Sequence, residues 1–242
     1  MNGKHPDQEL AKKAAAVRSL EFVRSDMVLG LGSGSTAAWF VELLGQRIVT
    51  EDLIITGIPT STFTFHQAQR LNIPLTTLDK VDKIDLVVDG ADEFDLAMNL
   101  IKGGGGALLQ EKIVASASEH MLVITDYSKK VSCLGSFPLP VEVVKFGANA
   151  TFEAIHQVLF ELKYKNVTLN FRLEGEEFFV TDENHFLIDL KLGEISDLEE
   201  LHTGLLSCPG VVETGLFLKL AKTIVVGQPD GTCEVIRSKV IS

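Results

Sequence analysis

The sequence predicts an α/β protein: an open, mostly parallel sheet with helices on both faces, followed by a second, smaller α+β domain. Three observations predict it. Short apolar runs, MVLGLG (27–32), LIITGIPTS (53–61), IDLVVDG (84–90) and HMLVITD (120–126), recur through the first half of the chain. Stretches with helical spacing separate them, which is the alternation of parallel strands with crossover helices. The runs are apolar at consecutive positions, as in strands covered on both faces. The pattern then breaks near residue 135, where FPLPVEVV (137–144) brings two prolines and shorter, more polar segments follow. The expectation is a Rossmann-like α/β domain of residues 1–134 plus about 208–242. Residues of about 135–207 would form the smaller lid or dimerisation domain.

The elements follow in order. Residues 7–24 place Leu10, Ala14, Val17 and Leu20–Phe22 at helical spacing with charges between them. MVLGLG reads as a strand ending in a glycine-rich turn, and STAAWFVELLGQR as the helix after it. LIITGIPTS repeats this logic, with a helix running to about Leu71. A short strand at IPLTTL (73–78) precedes the longer one at 84–90, and a helix from about Ala107 to Ser118 precedes HMLVITD. The prolines of FPLPVEVV suit an edge strand or an inter-domain crossing. Beyond it the pattern predicts a helix at about 150–163, strands near 166–173, 177–182 and 185–190, and a helix over 197–207. GVVETGLFL (210–218) and AKTIVVGQ (221–228) read as apolar strands returning to the large domain.

The chain has 242 residues, 45% of them apolar, enough for one large core or two smaller ones. It holds no apolar run long enough to span a bilayer. The opening MNGKHPDQELAKK lacks the apolar core of a secretory signal, so a cytoplasmic protein is expected. The formal net charge of −11 argues against nucleic acid or an anionic membrane as partner, since both need a basic footprint. A small phosphorylated ligand remains compatible, because one lysine and a helix N-terminus supply enough local positive potential. Cys133, Cys208 and Cys233 are far apart without a CxxC pair, and read as reduced thiols. His5, His66, His120, His156, His185 and His202 show no metal-binding spacing, so no metal site is expected.

Four segments carry candidate chemistry. Gly30-Leu-Gly32-Ser33-Gly34-Ser35-Thr36-Ala37 follows the first strand and opens a helix. Its glycines admit an anion close to the backbone, and Ser33, Ser35 and Thr36 add hydroxyl donors. It lacks the Gly-Lys-Ser/Thr ending of a nucleotide-binding P-loop. It fits a loose dinucleotide pattern through Gly32, Gly34 and Ala37, but no acid ends the second strand to hold a ribose hydroxyl. Asp89-Gly90-Ala91-Asp92-Glu93-Phe94-Asp95 leaves an apolar strand, which makes Asp89 and Asp92 site positions rather than turn caps. Glu93 and Asp95 are expected to face solvent. In Lys102-Gly103-Gly104-Gly105-Gly106, four glycines cost backbone entropy, so a loop where bulk is forbidden near a ligand is the better account than a linker. Glu111 lies about one turn into the next helix, beside Ala107 and Leu108, which could desolvate it toward the basicity a general base needs. Asp126-Tyr-Ser-Lys129-Lys130 follows the fourth strand, and Lys129 could meet a phosphate beside the first loop.

Taken together, the set resembles the type A family of ribose-5-phosphate isomerases. GSGSTA (32–37), DGADE (89–93), KGGGGALLQEK (102–112) and DYSK (126–129) match the family pattern in order and spacing, and FPLPVEV (137–143) and PGVVETGLF (209–217) match later segments. The resemblance covers almost the whole chain. It implies reversible isomerisation of D-ribose 5-phosphate to D-ribulose 5-phosphate, without metal or other cofactor, by a homodimer or a higher assembly. It implies that Ser33, Gly34, Ser35 and Thr36 contact the substrate, that Asp89 and Asp92 do so too, that Lys102 is the essential lysine and Glu111 the catalytic base. Lys129 matches a further substrate-binding lysine. Gly90, Ala91, Gly103, Gly104 and Gly105 complete the expected binding set. Ser33 stands where threonine is more usual, and Tyr127 where a smaller or acidic residue is common. Two other classes compete. A sugar-phosphate sensor would need a basic DNA-binding extension, whereas an acyl or CoA transferase on a related sheet would bind CoA.

Overall fold

The structure is a computed structural model that describes residues 6–238; His5 lies outside them. The chain divides into two compact units. Among the described residues, one takes 6–91, Gln110–Lys130 and 219–238. The other takes Asp92–Leu109 and Val131–Leu218.

The first unit is built on a six-stranded sheet. From edge to edge its strands are Cys233–Arg237, Ala221–Gly227, Met121–Asp126, Leu86–Asp89, Met27–Leu31 and Ile55–Pro59. Every pairing is parallel except the hairpin of Ala221–Gly227 with Cys233–Arg237. Leu86–Asp89 and Met121–Asp126 are buried at every position, which is why their runs are apolar without alternation. Helices Pro6–Ser19 and Ser35–Glu51 contribute Ala15, Ala16, Phe40, Val41 and Leu44 to a core shared with Leu29, Leu31, Val88, Leu122, Ile124 and Val225. Burying each of the large side chains stabilises the fold by about 1.5–3 kcal/mol. On the other face, a Cβ at Gly30 would lie 2.6 Å from Val87 Cγ2 and 2.7 Å from Val114 Cγ1. The glycine thus admits the helix Leu108–Ser116 to the sheet. Helix Thr62–Arg70 starts where the Ser61 hydroxyl accepts the Thr64 N–H. The open parallel sheet read from the sequence is borne out. The expected strand at 73–78 reduces to one bridge, Gly57 to Leu75.

The second unit has a four-stranded antiparallel sheet in the order Val211–Thr214, Leu139–Val143, Phe186–Lys191, Thr168–Phe171. Helices Ala148–Glu161 and Leu198–Leu206 cover one face, bringing Ile155, Leu159, Leu201 and Leu205 onto Leu139, Val141, Val143, Ile188 and Leu190. The Asp197 carboxylate caps the second helix by accepting the Glu200 N–H at 2.9 Å. Two small antiparallel sheets complete the unit: Leu216–Phe217, Leu100–Ile101, Glu93–Phe94, and the hairpin of Leu173–Glu174 with Glu177–Phe178.

Two expectations are corrected here. The proline-bearing strand Leu139–Val143 is central and buried throughout, not an edge. Pro140 is tolerated because its main-chain edge faces the point where the neighbouring strand ends: its carbonyl accepts the Gly215 N–H at 2.7 Å, one residue past Thr214. The segment 210–218 does not return to the large sheet. Val211–Thr214 pairs with Leu139–Val143, Leu216–Phe217 pairs with Leu100–Ile101, and the return begins at Ala221. Cys133, Cys208 and Cys233 are free thiols. Among the described residues, no helix is long and apolar enough to cross a membrane.

Candidate active site

In the first unit the chain runs from Met27–Leu31 outward to Ile55–Pro59, then crosses to Leu86–Asp89 on the other side of the first strand. The strand order reverses between these neighbours, and open α/β sheets bind ligands past the carboxyl ends of strands at such a point. Gly32-Ser33-Gly34 leaves one of these ends and Asp89 the other. They are joined: Asp89 Oδ1 accepts the Ser33 N–H at 2.9 Å and the Gly90 N–H at 2.7 Å. A Cβ on Gly32 would lie 2.3 Å from that same oxygen, so only glycine lets the buried Asp89 carboxylate seat here.

Gly34, at φ 91°, turns the chain into the helix that begins at Ser35. The first N–H groups of that helix lack intrahelical partners and, with the helix dipole, favour an anion. Gly34 and Ser35 are exposed, and Thr36 is buried. The Ser33 hydroxyl is turned inward: it donates to Ser61 Oγ at 2.7 Å and lies 2.8 Å from Thr60 Oγ1. The Thr64 hydroxyl in turn donates to the Gly32 carbonyl at 2.9 Å. Ser33 therefore steadies the loop through its side chain. Thr60, Ser61 and Thr64 were not singled out from the sequence, although their place after the second strand was the available signal.

Two further predicted residues belong to this unit. Glu111 sits in the first turn of the helix Leu108–Ser116 and is 5% exposed. Burial strips water from its carboxylate, and the helix's leading amides offset part of that cost. Lys129 ends the short turn Tyr127–Lys129 at the carboxyl end of Met121–Asp126, the strand beside Leu86–Asp89. Asp126 caps this turn by accepting the N–H and hydroxyl of Ser128 at 2.9 and 2.5 Å.

In the second unit the structure brings Asp92 and the tetraglycine turn together. Asp92 Oδ2 accepts the Gly104 N–H at 2.7 Å, and a Cβ on Gly104 would press on that carboxylate. The turn closes with the Gly106 N–H on the Gly103 carbonyl at 3.0 Å. Gly104 and Gly105 are exposed. Lys102 is 3% exposed, its ammonium 5.4 Å from the centroid of Phe217, within cation–π range. Its main-chain N–H reaches the Gly215 carbonyl at 2.9 Å. Arg172, which no sequence pattern marks, grips the same turn by donating to the Gly103 and Gly104 carbonyls at 2.8 and 3.1 Å.

The expectation that Glu93 faces solvent is overturned. It is buried, and its carboxylate accepts the N–H groups of Gly135 at 2.7 Å and Phe137 at 2.5 Å. Two amide donors offset the desolvation that made an exposed place the natural guess. Asp95 is half-buried and caps its own turn through the N–H and side-chain amide of Asn99.

The family model of ribose 5-phosphate isomerase A (phosphoriboisomerase A) matches residues 56–231. A relative from Rhodopseudomonas palustris (strain BisB5), named ribose-5-phosphate isomerase A, is 51% identical over 232 residues, covering 96% of this chain and 100% of its own. Another of that name from Roseobacter denitrificans is 49% identical over 225 residues, covering 93% of this chain and 86% of its own. Among solved structures, ribose 5-phosphate isomerase from Plasmodium falciparum superposes with a TM-score of 0.89 at 37% identity, over 95% of this chain and 98% of that one. A D-ribose-5-phosphate isomerase in complex with phospho-erythronic acid gives 0.87 at 36% identity, over 95% and 99%. The match takes in the aspartate, tetraglycine and lysine segments whose geometry is described above, and the chain belongs to the ribose 5-phosphate isomerase A family.

Proposed function

We propose that this chain interconverts D-ribose 5-phosphate and D-ribulose 5-phosphate through a cis-enediolate, with Glu111 carrying the proton between C2 and C1. Family membership gives the reaction class, aldose–ketose isomerisation. The observation that carries the residue assignment is Glu111 itself: a carboxylate 5% exposed in the first turn of a helix, directly after a glycine turn with exposed backbone. A structural glutamate at such a place would be expected on the solvated face.

The substrate opens first. Asp89, held by two main-chain N–H groups, moves a proton from the anomeric hydroxyl to the ring oxygen, and Asp92 helps to hold the sugar. Glu111 then removes the C2 proton. The electron pair forms the C1–C2 double bond, and the former carbonyl oxygen takes the negative charge. A proton passes from the C2 oxygen to the C1 oxygen, Glu111 returns its proton to C1, and C2 becomes the carbonyl. The Lys102 ammonium and glycine N–H groups stabilise the oxyanion, a contribution worth on the order of 10²–10³ in turnover per donor. The helix start at Ser35 and Lys129 hold the phosphate, as a helix N-terminus and a cation suit a dianion. The enzyme works without metal, in the cytoplasm, as a homodimer or higher assembly.

A coupled assay on ribose 5-phosphate with EDTA present tests this reading. Wild type should turn over at full rate. Glu111→Gln should lose about 10²–10⁴-fold in kcat, the range of a positioned acid–base group, while keeping its thermal midpoint and affinity for inorganic phosphate. Near-normal turnover in that variant removes Glu111 from the role, and an EDTA-sensitive wild type removes the metal-free chemistry.

A further inference from the structure

The face of the four-stranded sheet opposite its helices holds an ion pair that the chemistry above leaves unused. Arg172 extends the strand Thr168–Phe171 by one residue, its N–H on the Leu187 carbonyl at 2.8 Å. Its Nε donates to Asp189 Oδ2 at 2.9 Å and its Nη2 to Asp189 Oδ1. The side chains are only 15% and 24% exposed. This fork-to-fork pairing fixes the plane of the guanidinium. Nη1 is thereby aimed at two consecutive carbonyls, Gly103 at 2.8 Å and Gly104 at 3.1 Å.

The direction of the next N–H follows from peptide geometry. The described residues contain no cis peptide, and a trans peptide sends its C=O and N–H to opposite sides. With the Gly103 carbonyl on Arg172, the Gly104 N–H points the other way, and it meets Asp92 Oδ2 at 2.7 Å. With the Gly104 carbonyl on the same guanidinium, the Gly105 N–H also points away from it. Gly105 is exposed, and a Cβ there would meet nothing within 4 Å. The turn thus has one N–H committed to an aspartate and the next, on an exposed residue, directed away from the guanidinium. Glycine peptides rotate freely. Without the clamp, the Gly104–Gly105 peptide could flip and present its carbonyl where the donor had been, replacing attraction for an anion by repulsion.

We propose that Arg172 and Asp189 are positioning residues that lock the Gly104–Gly105 peptide so that the Gly105 N–H is presented to the enediolate oxyanion. The inference rests on the isomerase reading above and adds to it. Its force comes from preorganisation: a donor already oriented where charge develops costs no rearrangement at the moment of reaction. Arginine is required because lysine, a point charge, cannot hold a carboxylate at two points and two carbonyls at once.

The test is the kinetics of Arg172→Lys, Asp189→Asn and the double variant, with inhibition by phospho-erythronic acid and by inorganic phosphate. The carboxylate of phospho-erythronic acid carries two oxygens sharing one negative charge, as the enediolate does; inorganic phosphate lacks it. Each variant should lose about tenfold or more in kcat, with KM within about threefold of wild type. Inhibition by phospho-erythronic acid should weaken in step with kcat, while inhibition by phosphate stays put. The double variant should be no worse than the poorer single one, because the pair acts as a unit. A purely structural brace would instead lower the thermal midpoint and weaken both inhibitors together, and that result overturns the proposal, as does an unchanged kcat. If Arg172→Lys fails to fold, Asp189→Asn, which keeps an acceptor for the guanidinium, decides the matter. Wild type and Glu111→Gln run alongside separate the two readings: an inert wild type sinks the isomerase assignment, whereas an active wild type matched by Arg172→Lys sinks only the positioning role.

Discussion

Gly105 differs from its three neighbours in what forbids a side chain. A Cβ at Gly103 would lie 2.9 Å from Leu108 Cδ2, at Gly104 2.6 Å from Asp92 Oδ1, and at Gly106 2.4 Å from the ring of Phe179. Gly103 and Gly106 also sit at φ 104° and 84°. The protein's own atoms therefore demand three of the glycines, and Gly105 alone is left for a ligand to demand. Gly105→Ala should melt with wild type yet lose about tenfold or more in kcat/KM, since small displacements at a reacting group cost heavily. Unchanged kinetics would place the ligand away from this part of the turn. Gly32→Ala should behave differently. Its Cβ would meet both Oδ1 and the main chain of Asp89, at 2.3 and 2.5 Å, so strand and loop must part. A loss of about 1–3 kcal/mol in denaturant unfolding is expected, as for overpacking, together with lost turnover. Four glycines in a row pointed to excluded bulk in the sequence. They carried no mark of which atom does the excluding, because Leu108 is near in sequence and Phe179 is not.

At the scale of elements, the strand Leu139–Val143 projects Glu142 away from the helices, where it anchors the turn 181–185. Its Oε1 accepts the Thr181 hydroxyl at 2.9 Å and lies 3.0 Å from His185 Nδ1. Glu142 is 1% exposed, and burial raises its pKa above the ordinary value of 4.5; hydrogen bonds from Thr181 and His185 oppose the shift and the charge of Glu183 adds to it. The folded chain thus holds this proton more tightly than the unfolded one. The stability so contributed is complete below the unfolded pKa and is lost as pH rises through the folded one. Glu142→Gln keeps an acceptor for both partners and removes the titration. The variant should melt above wild type at pH 8, and the gap should close as pH falls toward 4.5. A wild type that is the more stable at pH 8 would mean that the bond to His185 outweighs burial. None of this was legible in the sequence, where two prolines argued for an edge strand or an inter-domain crossing. Periodicity reports that a strand exists, but whether Pro140 has a neighbour on each side depends on where a strand seventy residues later happens to end. The helices fared better: Ala148–Glu161 and Leu198–Leu206 lie within two residues of the expected spans, because each declares itself by one apolar face and, in the second, an aspartate cap.

For the whole molecule, the alternation of apolar runs with helical stretches made the large parallel sheet readable, and the strand-end rule made Ser33, Asp89 and Lys129 candidates. The segment 92–109 was not readable as part of the second unit. Its strands, Glu93–Phe94 and Leu100–Ile101, are two residues each, too short for any period to show. Yet this segment docks along the length of 131–218. Ile101 lies fully buried in the core with Leu139, Val141 and Leu216. Leu100–Ile101 pairs with Leu216–Phe217, the Val131 N–H meets the Phe94 carbonyl at 3.0 Å, and Glu93 takes the N–H groups of Gly135 and Phe137. The second unit is therefore discontinuous in sequence, and 131–218 expressed alone would expose the surface that Ile101 and Phe94 cover. In a chain of 92–109 and 131–218, Gln110–Lys130 can be replaced by a flexible Gly/Ser linker of about 20 residues, which averages roughly 25 Å end to end. That chain should unfold cooperatively in urea and be more stable than 131–218 by about 2–4 kcal/mol, the burial of one or two large apolar side chains. Equal midpoints for the two fragments would show that the turn bearing Lys102 and the glycines is held by something other than the contacts of its own unit.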